Sequence, residues 1–394
     1  LDCLAENNTF PILLNDRVNV AAYAKAAGIT RAEAQDYFPL GCGEYTLVHR
    51  SLNSPNGAIN LASALGATLD HGRDPASGRV IGLDLGGLDT YRTWDELWAA
   101  YCRQVEFQIQ RLAEVQKLIY DVTGEELAYP LTSALYDGCL DAGLGLVQGG
   151  IPHLGGTVES YGDITAADSL YAIGEALFEQ RFCDGLTLLS ALKGDWQGHE
   201  DLRRRLQALP KFGNDHDGAD AMASAVHDHV CLTTQAQAAR VGMNSFLIVV
   251  INNGFGVVLG RGTSATADGR GRGQPLSNGN APTSGNDRNG LTAVLNSMAK
   301  LRADHHAGAV HNLSVTCRML KRDRQRFLAL LDGYWDQGGT QLMLTPVDPG
   351  QLQDAMLHPK NYPNLLVRMG GWSARFVELS AEFQRDIAAR TLHD

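Results

Sequence analysis

The sequence predicts an α/β protein with parallel strand pairing, on two observations. Short runs of strand character at 246–251, 313–317, 341–345 and 365–368 stand far apart in the chain. Between them lie long stretches of helical character, and strands separated by helices return to one sheet in parallel. The chain's 394 residues, 44% of them hydrophobic, are enough to bury a core, and length alone allows two to three domains.

In chain order, Thr30-Arg31-Ala32-Glu33 is a capping box, in which the first and fourth residues satisfy each other's backbone N–H groups. It predicts a short helix ending near Tyr37, just before a loop at 40–46. A turn at Asn56-Gly57 leads into a short helix over 60–67. A second capping box, Thr93-Trp94-Asp95-Glu96, starts a long helix reaching about Val122, with Leu97, Tyr101, Val105, Ile109 and Leu112 at helical spacing. Further helices are predicted near 129–142 and over 166–180, 200–209 and 219–242. The apolar run from Phe246 continues to Leu259 across Asn252, Asn253 and Gly254, which suits a buried strand and a turn. The stretch 260–290, rich in Gly, Asn and Ser, is too long for a simple connector and is expected to be functional. No internal repeat is visible.

Charge and composition exclude several classes. A net charge of -11 leaves no basic cluster to neutralise phosphates, so no nucleic acid partner is expected. No apolar run approaches a bilayer span, so no membrane partner is expected. Seven cysteines with no CxxC pair argue against a disulfide framework and for a reducing, cytoplasmic setting, and no signal peptide is visible. The glycine-rich runs at 260–262 and 269–273 lack phosphate-loop spacing. His227-Asp228-His229 and His305-His306 fit no common zinc pattern, so no metal site is expected. Arg203 to Arg205 and Lys321 to Arg326 read as solvated helix faces.

Four motifs remain. Near the end stands Val367-Arg368-Met369-Gly370-Gly371-Trp372-Ser373, and near the start Leu40-Gly41-Cys42-Gly43-Glu44-Tyr45. Between them are Pro210-Lys211-Phe212-Gly213-Asn214-Asp215-His216-Asp217 and a tract from Thr266-Ala267-Asp268-Gly269-Arg270 through Asn286-Asp287-Arg288-Asn289-Gly290 to Ser297-Met298-Ala299-Lys300-Leu301. In this order they resemble the signatures of the glycyl radical enzymes, the superfamily of pyruvate formate-lyase. Ala267 and Leu291 depart from it, standing where proline is usual.

The resemblance implies the rest. Gly371, directly before the aromatic, stores an α-carbon radical, which needs a flat centre without a Cβ. Cys42 receives the radical as a thiyl and takes a hydrogen atom from substrate carbon, while Glu44 moves a proton. Residues i and i+2 of an extended segment point the same way, so Cys42 and Glu44 address one substrate. Gly43 follows Cys42, so the acyl relay of paired cysteines is unsupported, and Cys-x-Glu resembles the eliminating branch of dehydratases and lyases. Arylacetate-type decarboxylases share that pair and stay open as an alternative, as does a formate C-acetyltransferase-like enzyme. Gly43 with Tyr45 suggests a roomier or aromatic-lined pocket. Asn214, Asp215 and Asp217 are pocket or structural residues.

The implied fold is half of a ten-stranded barrel with surrounding helices. Residues 1–260 are the C-terminal part of the barrel domain, including the thiyl loop 40–46. Residues 261–394 are a C-terminal glycyl radical domain with its radical loop at 367–374. The chain begins at Leu1, inside a stretch already resembling family sequence, and the family is about twice as long, so a fragment, a truncated gene or a split polypeptide is expected. The implied partners are a missing N-terminal half, a small-molecule substrate, a second copy in a homodimer and a separate activating enzyme. That activase carries the iron-sulfur cluster and S-adenosylmethionine, since this chain has no CxxxCxxC. A subunit of a split complex or an inactive remnant is the non-enzymatic alternative.

Overall fold

Thr30 Oγ1 accepts the Glu33 N–H at 3.2 Å while the Glu33 carboxylate accepts the Thr30 N–H at 3.0 Å, and Thr93 with Glu96 repeats the arrangement. These closed capping boxes start the helices Arg31–Ala34 and Trp94–Glu126. The computed structural model describes residues 1–52, 55–127, 129–251 and 254–394. Asn252 and Asn253, read above as part of a turn, lie outside the described residues.

The described strands are β1 (Ile12–Leu14), β2 (Tyr37–Leu40), β3 (Glu44–Leu47), β4 (Ser51–Leu52), β5 (Pro55–Asn60), β6 (His153–Tyr161), β7 (Ser245–Val250), β8 (Asn312–Thr316), β9 (Gln341–Val347), β10 (Leu366–Arg368), β11 (Ser373–Arg375) and β12 (Leu392–His393). β5, β6 and β7 pair in parallel. A parallel bridge from Val250 to Ala309 carries the sheet to the chain entering β8, and β8 pairs in parallel with β9. β4 and β12 add short parallel pairings to β6 and β8, and β1 runs antiparallel along β9. This parallel run, with helices packed along it, is the half-barrel that the resemblance implied.

Alternation along the strands assigns the two faces of the sheet. Val158, Phe246, Ile248 and Val250 pack with Tyr101, Val105, Leu170 and Val230 of the helices Trp94–Glu126, Asp163–Ile173 and Asp217–Gln235. Tyr161, Leu247, Val249 and Ile251 face the other way, into a second core with Cys42, Tyr45, Val310 and Met343. A strand covered on both faces reads as a continuous apolar run, and β7 is buried at every residue. A third, smaller core joins Val347, Leu352, Val367, Met369, Phe376 and Ile387 beneath β10, β11 and the helix Ala381–Ala388.

Several expected elements differ in detail. The helix before the loop ends at Ala34, and Tyr37 opens β2. Asn56-Gly57 lies inside β5 instead of a turn, and the following helix is Leu61–Leu69, capped by the Asn60 side chain on the Ser63 N–H at 3.1 Å. The helix expected near 129–142 is two single turns, Pro130–Ser133 and Cys139–Ala142, separated where Gly138 takes φ +83°. The 166–180 helix starts at Asp163 and ends as a π-helical turn, Gly174–Glu179. The 219–242 helix stops at Gln235. β6, a central strand, was not predicted, because Gly155, Gly156 and Glu159 interrupt its apolar pattern.

Candidate functional site

Two hairpins meet tip to tip. β2 and β3 pair antiparallel, Leu40 opposite Glu44, and Gly41-Cys42-Gly43 forms the turn. The Gly43 N–H donates to the Leu40 carbonyl at 2.8 Å. Both glycines take left-handed φ, +53° at Gly41 and +104° at Gly43, which turns the chain sharply and leaves Cys42 at the apex. β10 and β11 form the second hairpin, Arg368 opposite Ser373, closed by the Met369 N–H on the Trp372 carbonyl at 3.0 Å. Gly370 and Gly371 form its tip. A Cβ on Gly371 would lie under 3.0 Å from the Gly41 carbonyl carbon and oxygen and from the Cys42 nitrogen. The backbones touch, and only glycine fits.

Burial favours the neutral forms of the groups in this site. Cys42 is buried, and burial first, then the Glu44 charge, push its thiol up to about 11. The Gly371 N–H faces the thiol and pulls the other way, Glu159 adds to the rise, and Arg368 opposes it. Burial also raises Glu44, against the N–H groups of Glu44, Cys42 and Gly43 that face its carboxylate, and Glu159 raises it further. Glu44 Oε2 is buried and has no hydrogen-bond partner among the described residues.

Long-range contacts hold both tips. Asn312 Nδ2 donates to the Met369 carbonyl at 3.0 Å, and Arg390 Nη1 donates to the Arg368 carbonyl at 3.1 Å. The Arg368 N–H donates to Thr345 Oγ1 at 3.0 Å, and its buried guanidinium reaches the carbonyls of Thr9 and Phe10. On the other hairpin, the Tyr45 N–H donates to the Ala307 carbonyl at 2.9 Å. Tyr45 points into the core, its hydroxyl on Asn19 Oδ1 at 3.0 Å and its ring against Tyr23 and Tyr37. The suggestion that Gly43 and Tyr45 enlarge or line a pocket is therefore corrected. A Cβ at Gly43 would meet Gln341 Oε1 at 2.7 Å, so Gln341 occupies that space, and Tyr45 is wholly buried.

A family model described as pyruvate formate lyase-like matches residues 1–256, and one described as glycine radical matches residues 276–377. The chain belongs to the pyruvate formate lyase-like family. An isethionate sulfite-lyase from Desulfovibrio desulfuricans is 32% identical over 98% of this chain and 47% of its own length. A (2S)-3-sulfopropanediol dehydratase from Klebsiella oxytoca is 28% identical over 99% and 48%. Among solved structures, the B12-independent glycerol dehydratase from Clostridium butyricum superposes with a TM-score of 0.92 at 29% identity, covering 99% of this chain and 50% of that one. The chain therefore spans about half the length of the relatives it matches. The glycine radical match indicates a protein-derived glycyl radical as the cofactor. The cradle at Gly371 fits it, having no space for a Cβ.

The two remaining family signatures dock on each other. Asn214 accepts the N–H groups of Arg288 and Asn289 at 2.8 and 3.2 Å, and donates to the Asn286 carbonyl at 2.8 Å. Lys300 Nζ lies 2.8 Å from Asp215, 2.7 Å from the buried Asp220 and 3.7 Å from Asp217. These residues clamp two segments together. The histidines find local partners: His305 meets Asp228 at 2.8 Å, and His227 meets the Arg302 carbonyl at 3.2 Å. Among the described residues no group of three or more His, Cys, Asp and Glu side chains is placed to hold a metal ion. No described helix is long and apolar enough to cross a membrane. Glu159, Gln341 and Arg368 were not singled out from the sequence as site residues. Glu159 and Gln341 sit on strands with no local motif, and Arg368 was read only as flanking Gly371.

Proposed function

We propose that this chain carries the radical-bearing part of a glycyl radical lyase, which removes a leaving group from a small hydroxylated substrate. The contact between the Cys42 turn and Gly371 carries the reading. The stored radical supplies a one-electron site on the backbone. Gly371 regains its α-hydrogen from the Cys42 S–H, which leaves the sulfur as a thiyl. This transfer needs a thiol and not a thiolate, and burial keeps Cys42 in that form. The thiyl sulfur takes a hydrogen atom from the substrate carbon bearing the hydroxyl. Glu44 accepts the hydroxyl proton, since a carboxyl raised by burial is a stronger base than a solvated one. The electron on carbon then drives out the leaving group from the neighbouring carbon as an anion, or as water if Glu44 returns its proton. The product radical recovers a hydrogen atom from Cys42.

The relatives' additional length supports a partner segment that completes the pocket, an N-terminal half on the same or another polypeptide. The resemblance supports a separate activase bearing an iron-sulfur cluster and S-adenosylmethionine, and a homodimer. A cytoplasmic setting agrees with seven cysteines that form no disulfide. The two family matches, over 1–256 and 276–377, support the division into a barrel part over 1–260 and a radical domain over 261–394, although β8 and β9 of the second part continue the barrel sheet. The test is electron paramagnetic resonance of the completed, activated protein. A glycyl doublet retained in Cys42→Ala with turnover abolished supports the reading; turnover surviving in Cys42→Ala removes Cys42 from the chemistry.

A further inference from the structure

Glu159 stands on β6 opposite Ala58 of β5 and Val249 of β7. Side chains alternate along a strand, so Glu159 shares its face with Tyr161, whose ring packs in the core that contains Cys42, Val249 and Ile251. Its strand neighbours are small or apolar, and neither pairs a charge. The Tyr161 hydroxyl donates to Glu159 Oε2 at 2.8 Å, which fixes the carboxylate and leaves Oε1 for another donor. Among the described residues no cationic side chain forms an ion pair with Glu159. Arg368, whose charge is felt at Cys42, is buried, forms no ion pair among the described residues, and directs Nη1 at the Thr9 and Phe10 carbonyls. The register and the shared core place Glu159 on the face of the sheet that the Cys42 turn packs against, and its charge is felt at both Cys42 and Glu44. Two further acceptors there lack partners: Glu44 Oε2, and Oε1 of the wholly buried Gln341 beside Gly43. A half-buried carboxylate without a cation is costly, and a ligand that donates to it recovers that cost.

We propose that Glu159 is a substrate-binding, specificity-determining residue: its free carboxylate oxygen takes a hydrogen-bond donor of a neutral or cationic substrate, and its charge disfavours anionic ones. The proposal rests on the reading of this site as the place of substrate chemistry. It sets this chain apart from relatives named for sulfonate substrates, because an added sulfonate would face Glu44 and Glu159, while Arg368 is turned to the carbonyls of Thr9 and Phe10.

Binding to the unactivated protein, completed with its N-terminal half, tests it without any radical step. Isothermal titration with propane-1,2-diol, 2-aminoethanol and isethionate is expected to show isethionate binding at least tenfold more weakly than one of the other two. Glu159→Gln keeps the shape and removes the charge, and it is expected to narrow that gap at least tenfold. Wild-type preference for isethionate overturns the proposal, and so does an unchanged ratio in a Glu159→Gln protein with native melting behaviour. If Glu159→Gln fails to fold, the wild-type order of the three ligands decides alone. A missing glycyl signal after activation would count against the radical reading but leave this binding result standing.

Discussion

Replacing Gly371 with alanine measures how closely the two hairpins fit. The new methyl would lie under 3.0 Å from three backbone atoms of Gly41 and Cys42. Carbon contacts are comfortable only from about 3.5 Å, so one turn must retreat by roughly an ångström. Neither can retreat freely. The Cys42 turn is tied through Gly43 to Leu40 and through Tyr45 to Ala307, at 2.8 and 2.9 Å. The Gly371 tip is tied through Met369 to Asn312 and through Arg368 to Arg390, at 3.0 and 3.1 Å. Overpacking of this kind costs roughly 1–3 kcal/mol, or about 5- to 150-fold in the docked population. Hydrogen–deuterium exchange on the unactivated protein reads that change. Amides of 40–45 and 366–375 are expected to exchange faster by about that factor, with the helix Asp217–Gln235 unchanged. Unaltered exchange in both hairpins would show that the contact is loose, and the reasoning would fail.

Four further outcomes follow from the electrostatics. With its thiol pushed up to about 11, Cys42 at pH 8 is expected to react with iodoacetamide roughly a hundredfold more slowly than the exposed Cys3, and equal rates would contradict the buried thiol. Glu44→Gln is expected to keep the radical signal and lose about 10²- to 10⁴-fold in turnover. Because burial raises Glu44, its basic form fills only as pH rises past the usual carboxylate range, so the acid limb of kcat should lie above that range; a limb at the ordinary position would refute this. Lys300→Met leaves the buried Asp220 without its cation. Lys300 is itself 37% exposed, so the expected loss in urea denaturation is roughly 2–3 kcal/mol, less than a fully buried pair would cost, and a loss under about 0.5 kcal/mol would contradict the clamp.

Much of the fold was legible because local rules acted alone. Thr30 and Thr93 announced their helices through capping boxes that the structure closes atom by atom. β7 was legible because burial on both faces made it a continuous apolar run. β6 was hidden because it carries Gly155, Gly156 and a carboxylate on the face of the Cys42 core, and periodicity has no term for a strand that lines a site. The segment near 129–142 misled because Pro130 and Gly138 cut an apolar stretch into single turns. In the site, Cys42, Glu44 and Gly371 stood out through their neighbours in sequence, and the structure brings their turns together. Glu159 and Gln341 lie on distant strands with no local motif, so only the sheet register locates them.

In the proposed mechanism, Gly371 and the Cys42 sulfur pass a hydrogen atom between them. A thiol hydrogen exchanges with solvent, so each return of the radical to Gly371 brings the chance of replacing its α-hydrogen. Electron paramagnetic resonance of the completed, activated protein in D2O tests this directly. The glycyl doublet is expected to collapse toward a singlet in the wild type and to persist in Cys42→Ala. A doublet that persists in the wild type, or collapses equally fast without Cys42, would contradict it.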